Sequence, residues 1–160
     1  METVIVTGGT GFVGKHLIPK LINDYDTYVI VRSYNKAKEL FSRDVLNHIT
    51  LLKGDLSRHD INLEKSIKNI YVDKLYIINL AGKVNLTSNS KFFNDIYKHN
   101  VETLSNLLKL LEQTGKIEHI SLFLHLSSLA AMGALNPSTV FTQDSPCLPV
   151  IPYEVSKFKS

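Results

Sequence analysis

Cysteine is almost missing from this 160-residue chain: Cys147 stands alone, which excludes an internal disulfide and any cysteine-built metal cluster, so no metal is expected. No apolar run approaches the roughly 20 residues that cross a bilayer, and no membrane partner is expected. The N-terminus enters a strand pattern at once and leaves no room for a signal peptide, so the chain is expected to be cytoplasmic. Internal repeats and low-complexity linkers are lacking too. Basic residues exceed acidic ones only to a net charge of +3 and are scattered, which does not call for nucleic acid. A hydrophobic fraction of 44% and a charged fraction of 21% describe an ordinary globule, and 160 residues suit one domain with a sizeable core.

Glycine, by contrast, is concentrated near the start, in METVIVTGGTGFVGKHL. Gly8, Gly11 and Gly14 follow the β-branched run Val4, Ile5, Val6 and open a helical pattern in which Phe12, Leu17, Ile18 and Leu21 share a face. A strand, a glycine turn and a helix are what a dinucleotide site requires. Gly8 supplies the positive φ of the turn. Gly11 admits a pyrophosphate to the backbone, Gly14 lets the helix pack closely on the strand, and the helix N-terminus offers unpaired N–H groups to the phosphates. Gly8, Thr10, Gly11, Phe12, Val13 and Gly14 are therefore candidate cofactor contacts.

Strand and helix patterns alternate along the rest of the chain. Strands are predicted near Thr3–Val6, Thr27–Val31, Ile49–Lys53, Leu75–Asn79 and Ser121–Leu126. Helices are predicted near Phe12–Ile22, Lys36–Phe41, Leu63–Lys68 and Asn94–Gln113; the last carries Val101, Leu104, Leu107, Leu108 and Leu111 on one face, with Gly115 as C-cap. Continuous apolar strands between helices imply a parallel sheet covered on both faces, a doubly wound α/β fold with strand order 3-2-1-4-5. From Gly133 to Pro152 the chain is rich in Pro, Ser and Thr (Pro137, Pro146, Pro149, Pro152) and is predicted to be a long surface loop. PYEVSKFKS then begins a helix of about two turns, too few to be stable without packing, so Tyr153 and Lys157 are expected to be loosely held. Its early end predicts a piece of a longer protein.

Arg32 ends the second strand where a carboxylate would select the ribose 2′-hydroxyl of NAD, with Lys36 and Lys38 just beyond. A guanidinium there binds a 2′-phosphate, so the expected cofactor is NADP rather than NAD; the alternative is a solvated strand end. Asp55, in GDLS, is placed to accept from an adenine amino group while Leu56 presses on the ring, or it is simply a turn residue. In NLAGKVN, Leu80, Ala81 and Gly82 admit the cofactor to the backbone, or relieve crowding under a helix. Ser127 and Ser128 stand at the carboxyl end of the fifth strand, where sites of such sheets lie. Tyr153 and Lys157, four residues apart, share a helix face, and a neighbouring ammonium favours the phenolate form. That pair can exchange a proton with a substrate oxygen while hydride moves to or from a nicotinamide.

In this order the motifs TGGTGFVG, GDL, NLAG, HNVET, SSLAAMG and YEVSK resemble the extended short-chain dehydrogenase/reductase family over essentially the whole chain. The resemblance implies an NAD(P)-binding Rossmann domain and redox chemistry on a small carbonyl or alcohol substrate, of the epimerase, dehydratase or reductase type. It implies that Ser128, five residues ahead of Gly133, is the catalytic serine, and that Tyr153 transfers the proton. It implies that Lys157 binds the nicotinamide ribose and favours the phenolate, and that Asn100 lines the cofactor site. VR after the second strand and SSLAAMG look more like the dihydroflavonol-reductase-like branch, and AGKVN is similar to the thioester-reductase branch. Complete members run to about twice this length and continue into a substrate-binding part, so this chain is expected to be inactive alone. The uncovered apolar edge SLFLHL is expected to leave it poorly stable or self-associating, with a homo-oligomer as one outcome. A nucleotide-binding sensor or scaffold is the other reading; the joint retention of Ser128, Tyr153 and Lys157 favours the enzyme.

Overall fold

The computed structural model describes residues 2–133 and 140–160. Five strands form one parallel sheet: β1 (Glu2–Thr7), β2 (Tyr25–Val31), β3 (Ile49–Lys53), β4 (Leu75–Asn79) and β5 (Ile120–His125). Their order is β3-β2-β1-β4-β5, as the alternation of strands and helices predicts. In the central register Val6 stands beside Val29 on one side and Ile78 on the other. The helices are α1 (Phe12–Leu21), α2 (Tyr34–Leu40), α3 (Arg43–Asn47), α4 (Ile61–Lys68), α5 (Phe93–Tyr97), α6 (Thr103–Gln113) and α7 (Pro152–Lys159).

Side chains alternate across the sheet and build two cores. Val4, Val6, Val29 and Val31 pack with Ile18 of α1, Ala37 of α2, and Phe41 and Val45. Ile5, Ile30, Leu52, Leu75 and Ile77 pack on the opposite face with Leu63 and Ile67 of α4 and Leu107, Leu110 and Leu111 of α6. Each Val, Ile, Leu or Phe side chain among them contributes about 1.5–3 kcal/mol by leaving water. Burial on both faces is why the central strands carry continuous apolar runs. Outward of this core, β5 forms the sheet edge, and Leu122, Leu124 and Leu126 make an exposed stripe along it.

Three sequence expectations change. Phe12 does not share the buried face of α1; it is 77% exposed, in edge-to-face contact with His16, and Gly14 and Ile18 are the buried residues. A helix starting directly after the turn points its first residue outward. The single helix expected over Asn94–Gln113 is α5, a π-helical turn Lys98–Glu102 and α6. The buried stripe of α6 runs through Thr103, Leu107, Leu110 and Leu111, one position round from the expected face, so Leu108 is exposed. Gly115 does cap α6, with φ +67° and the Lys116 N–H donating to the Leu111 carbonyl. Finally, α7 is docked: Pro152, Tyr153, Glu154, Ser156 and Lys157 are buried as it packs against α5 and the turn Leu129–Met132. Of the expected proline-rich loop, residues 134–139, Pro137 among them, lie outside the described residues.

Candidate functional site

A cavity of about 250 Å³ opens at the carboxyl ends of β1, β2, β3 and β4. Its floor is the glycine turn. Gly8 has φ +66°, and a Cβ there would stand 2.6 Å from the Ala81 nitrogen and the Leu80 carbonyl carbon. A side chain would therefore collide with the opposite wall of the cavity as well as strain the backbone. Gly14 serves close packing too, but its Cβ would strike the Gly9 backbone in the turn rather than the strand. Gly8, Thr10 and Gly11 line the cavity, whereas Phe12, Val13 and Gly14 do not. The latter three can serve an anion only through the backbone N–H groups that the first turn of α1 leaves unpaired.

Arg32 and Lys36 form the second wall, next to Ile30 and Val31. Both side chains are exposed, and the Ser33 hydroxyl accepts from the Lys36 N–H at 3.3 Å, fixing the start of α2 beside the arginine. Across from them lie Gly54, Asp55, Leu56 and Ser57. Asp60 braces this segment: one carboxylate oxygen accepts from the N–H groups of Asn62 and Leu63 at the start of α4, the other from the Asp55 N–H at 3.2 Å. Asp55 accepts from the Ser57 N–H at 3.0 Å, so it is a turn residue and a lining residue at once. Burial raises its pKa, but the bonds from Ser57 and the nearby Arg32 and Arg58 outweigh it and hold the carboxyl below its ordinary value.

Leu80, Ala81 and Gly82 close the third side, together with His99 and Thr103. Asn100 lies behind this wall, not on it. Its Oδ1 accepts from the Lys83 N–H at 2.6 Å, and its Nδ2 donates to the Lys83 carbonyl at 3.0 Å and the Ser156 hydroxyl at 2.8 Å. The buried asparagine thus joins the segment after β4 to α7 from within the π-helical turn.

Ser128, Tyr153 and Lys157 stand outside the cavity lining. Ser128 caps the turn Leu129–Met132 by accepting from the Ala130 N–H at 3.2 Å, and α7 packs on that turn. The Tyr153 ring is buried in α7, and the Lys157 ammonium donates to the Leu126 carbonyl at 2.8 Å. Burial pulls the Lys157 pKa below its ordinary value.

A polar chain runs beneath these residues. The Thr7 hydroxyl accepts from the Ala81 N–H at 3.2 Å and donates to the side-chain Oδ1 of Asn79. Asn79 Nδ2 meets His125 Nδ1 at 3.0 Å, His125 Nε2 meets the Ser160 hydroxyl at 3.3 Å, and that hydroxyl donates to the Lys157 carbonyl. Burial first, then the Lys157 charge, hold the His125 pKa below its ordinary value. Thr7, Asn79 and His125 were signalled in the sequence only as polar residues ending apolar strands.

The cavity fits a dinucleotide on its own terms. Its glycine floor is a cradle that a single Cβ would fill, and a guanidinium and an ammonium line it at one end. Among the described residues no cluster of His, Cys, Asp or Glu could hold a metal, and no helix is long and apolar enough to cross a membrane.

The sequence model of the NAD dependent epimerase/dehydratase family matches residues 4–160. A sterol-4-alpha-carboxylate 3-dehydrogenase, decarboxylating, of Dictyostelium discoideum is 29% identical over 94% of this chain and 42% of its own length. A putative UDP-glucose 4-epimerase of Methanocaldococcus jannaschii is 25% identical over 97% of this chain and 47% of its own. Among solved structures, dTDP-glucose 4,6-dehydratase of Bacillus anthracis in complex with NAD is similar with a TM-score of 0.72 and 25% identity, over 99% of this chain and 48% of that one. The chain thus spans less than half the length of these relatives.

Proposed function

Because the chain belongs to the NAD dependent epimerase/dehydratase family, we propose that it is the nucleotide-binding, proton-transferring part of an oxidoreductase that takes NADP in preference to NAD. The carrying observation is the convergence of the glycine turn, Arg32 with Lys36, Asp55 with Leu56, and Leu80–Gly82 on one cavity. A nicotinamide held there supplies hydride acceptance or donation at a substrate carbon. The protein supplies the rest. The first turn of α1 and the glycine backbone bind the pyrophosphate, and Leu56 and Asp55 hold the adenine. Arg32 pairs in bidentate fashion with a 2′-phosphate, an interaction NAD cannot make.

Tyr153 exchanges a proton at its phenolic oxygen with the substrate oxygen, which the Ser128 hydroxyl holds. Lys157, on the same face of α7 and anchored by its ammonium to the Leu126 carbonyl, is the residue that binds the nicotinamide ribose. The substrate class is a small carbonyl or alcohol compound. Titration of the chain with NADPH and NADH, followed by nicotinamide fluorescence and calorimetry, tests the reading. Saturable binding, tighter for NADPH, is expected. Failure of both nucleotides to bind at millimolar concentration would refute it, and tighter binding of NADH would overturn the cofactor preference.

A further inference from the structure

His125 lies on β5 outside the cavity lining, and the proposed chemistry does not use it. Its surroundings nevertheless fix its protonation state by proton counting. The Thr7 oxygen accepts from the Ala81 N–H, and the hydroxyl donates its one hydrogen to Asn79 Oδ1. Asn79 must then present its amide N–H to His125 Nδ1, which can only be a lone pair. The Ser160 hydroxyl spends its hydrogen on the Lys157 carbonyl, so His125 Nε2 must carry the proton that bonds Ser160. With Asn79 Oδ1 on Thr7, every link takes one direction, and the chain crosses from β1 through β4 and β5 to the last turn of α7.

We propose that His125 is a positioning residue: as the neutral Nε2–H tautomer it ties the strand ends carrying Thr7 and Asn79 to the helix carrying Tyr153 and Lys157, and its protonation uncouples them. The tie itself rests on geometry; its consequence for nucleotide binding rests on the function proposed above. Protonation places an N–H on Nδ1 against the Asn79 amide, donor against donor. Flipping Asn79 would restore that contact only by leaving the proton of Thr7, a residue 1% exposed, without its acceptor. Among the described residues, the charged group facing His125 is Lys157 on α7, while Asn79 of β4 and Ser160 beyond α7 are its neutral partners. A second positive charge there repels the ammonium that α7 holds against the Leu126 carbonyl.

The sign of the pH effect follows. The folded-state pKa of His125 lies below the ordinary 6.5, so the unfolded chain takes up the proton first. The contribution is complete above pH 6.5 and is lost as pH falls through the folded value.

Nitrogen-15 NMR of the histidine rings in this chain, from pH 8 down to 4.5, reads the tautomer and midpoint directly, beside NADPH and NADH affinities over the same range. NADH has no 2′-phosphate of its own to titrate. The expected result is an Nε2–H tautomer, a midpoint below 6.5, and Ala81 and Ser160 amides that titrate with the imidazole. Both nucleotides should lose affinity along the same curve. Asn79→Asp supplies a carboxylate that accepts from Nδ1–H, so the protonated ring keeps its tie; the midpoint should rise by about one pH unit or more and the acid loss of nucleotide affinity should disappear. An Nδ1–H tautomer, a midpoint at or above 6.5, or amides that ignore the titration overturns the tie, and these are read on the unsubstituted chain. A midpoint that moves in Asn79→Asp while the binding limb stays in place overturns the positioning role. Absence of nucleotide binding at every pH refutes the proposed function, whereas the tautomer and shared midpoint still decide the tie.

Discussion

Alanine at Gly8 and at Gly115 makes the same chemical change on nearly the same backbone, with φ +66° and +67°, in opposite surroundings. At Gly115 a Cβ meets nothing within 4 Å; at Gly8 it meets Ala81 N and Leu80 C at 2.6 Å. Both variants carry the cost of a left-handed L-residue, about 1–2 kcal/mol. Gly8→Ala must also displace the Leu80–Ala81 backbone, which is anchored by the Ala81 N–H to Thr7 and the Leu80 N–H to the Thr7 carbonyl. Forcing extra volume into packed structure adds about 1–3 kcal/mol. The expected losses are therefore about 1–2 kcal/mol for Gly115→Ala and about 2–5 kcal/mol for Gly8→Ala, against a total stability of about 5–15 kcal/mol.

Urea unfolding followed by circular dichroism measures both, and the difference isolates the steric part, because the torsional part is common. Nucleotide titration supplies a second readout. Gly8→Ala moves a cavity wall and should weaken binding, while Gly115→Ala, at the far end of α6, should leave it unchanged. Equal destabilisation by the two substitutions would show that the Leu80–Ala81 segment yields freely, and the account of the cavity floor would fail.

Arg32→Asp should weaken NADP binding by about 2–4 kcal/mol, since it removes a charge-assisted pair and adds repulsion, while NAD affinity falls much less or rises; equal losses in calorimetry would refute the clamp. Tyr153→Phe should leave the nucleotide Kd nearly unchanged and reduce turnover of the active protein by about 10²-fold or more, whereas Lys157→Met should damage both; a Tyr153→Phe protein with most of its activity would remove the tyrosine from the chemistry. The stripe of Leu122, Leu124 and Leu126 at the open β5 edge should make the 160-residue chain associate as concentration rises, visible in light scattering. Leu124→Lys should suppress that association, and a chain that stays monomeric without the substitution would refute the role of the edge.

What the sequence disclosed and what it hid divide along the range of the interactions. The strand order and the cavity floor were legible because each rests on neighbours in sequence: an apolar run, a glycine with positive φ, a basic residue ending a strand. Arg32, Asp55 and Leu80–Gly82 lie on separate strand ends, yet parallel strands all end at one edge, so topology alone brings them together. Leu108 was misplaced because Leu104, Leu107, Leu108, Leu110 and Leu111 offer two overlapping helix faces, and packing on the sheet selects the one through Leu107, Leu110 and Leu111; no residue type in HNVET marks the π-helical turn before them. The 3.6-residue period assumes an unbroken helix.

The polar chain under the site was hidden for a different reason. Thr7 and Asn79 are 72 residues apart and Asn79 and His125 are 46 apart, and each alone reads as a minor irregularity in an apolar strand. Only the register of β1, β4 and β5 sets the three side by side, with Thr7 opposite Asn79 and Asn79 opposite His125. Asn100 shows the same limit: a motif named it as a cofactor contact, whereas its three hydrogen bonds go to Lys83 and Ser156. A buried amide has two donors and one acceptor oxygen to satisfy, and where it spends them is a property of the packed structure. For that reason both asparagines act on the site through what they hold in place: Asn100 fixes α7 from the side of β4, and Asn79 fixes it through His125. Removal of either amide leaves α7 attached by the other, so the two substitutions should be more than additive in their effect on nucleotide affinity. A double-mutant cycle with Asn79→Ala and Asn100→Ala that closes to zero would show that the two ties act on α7 independently.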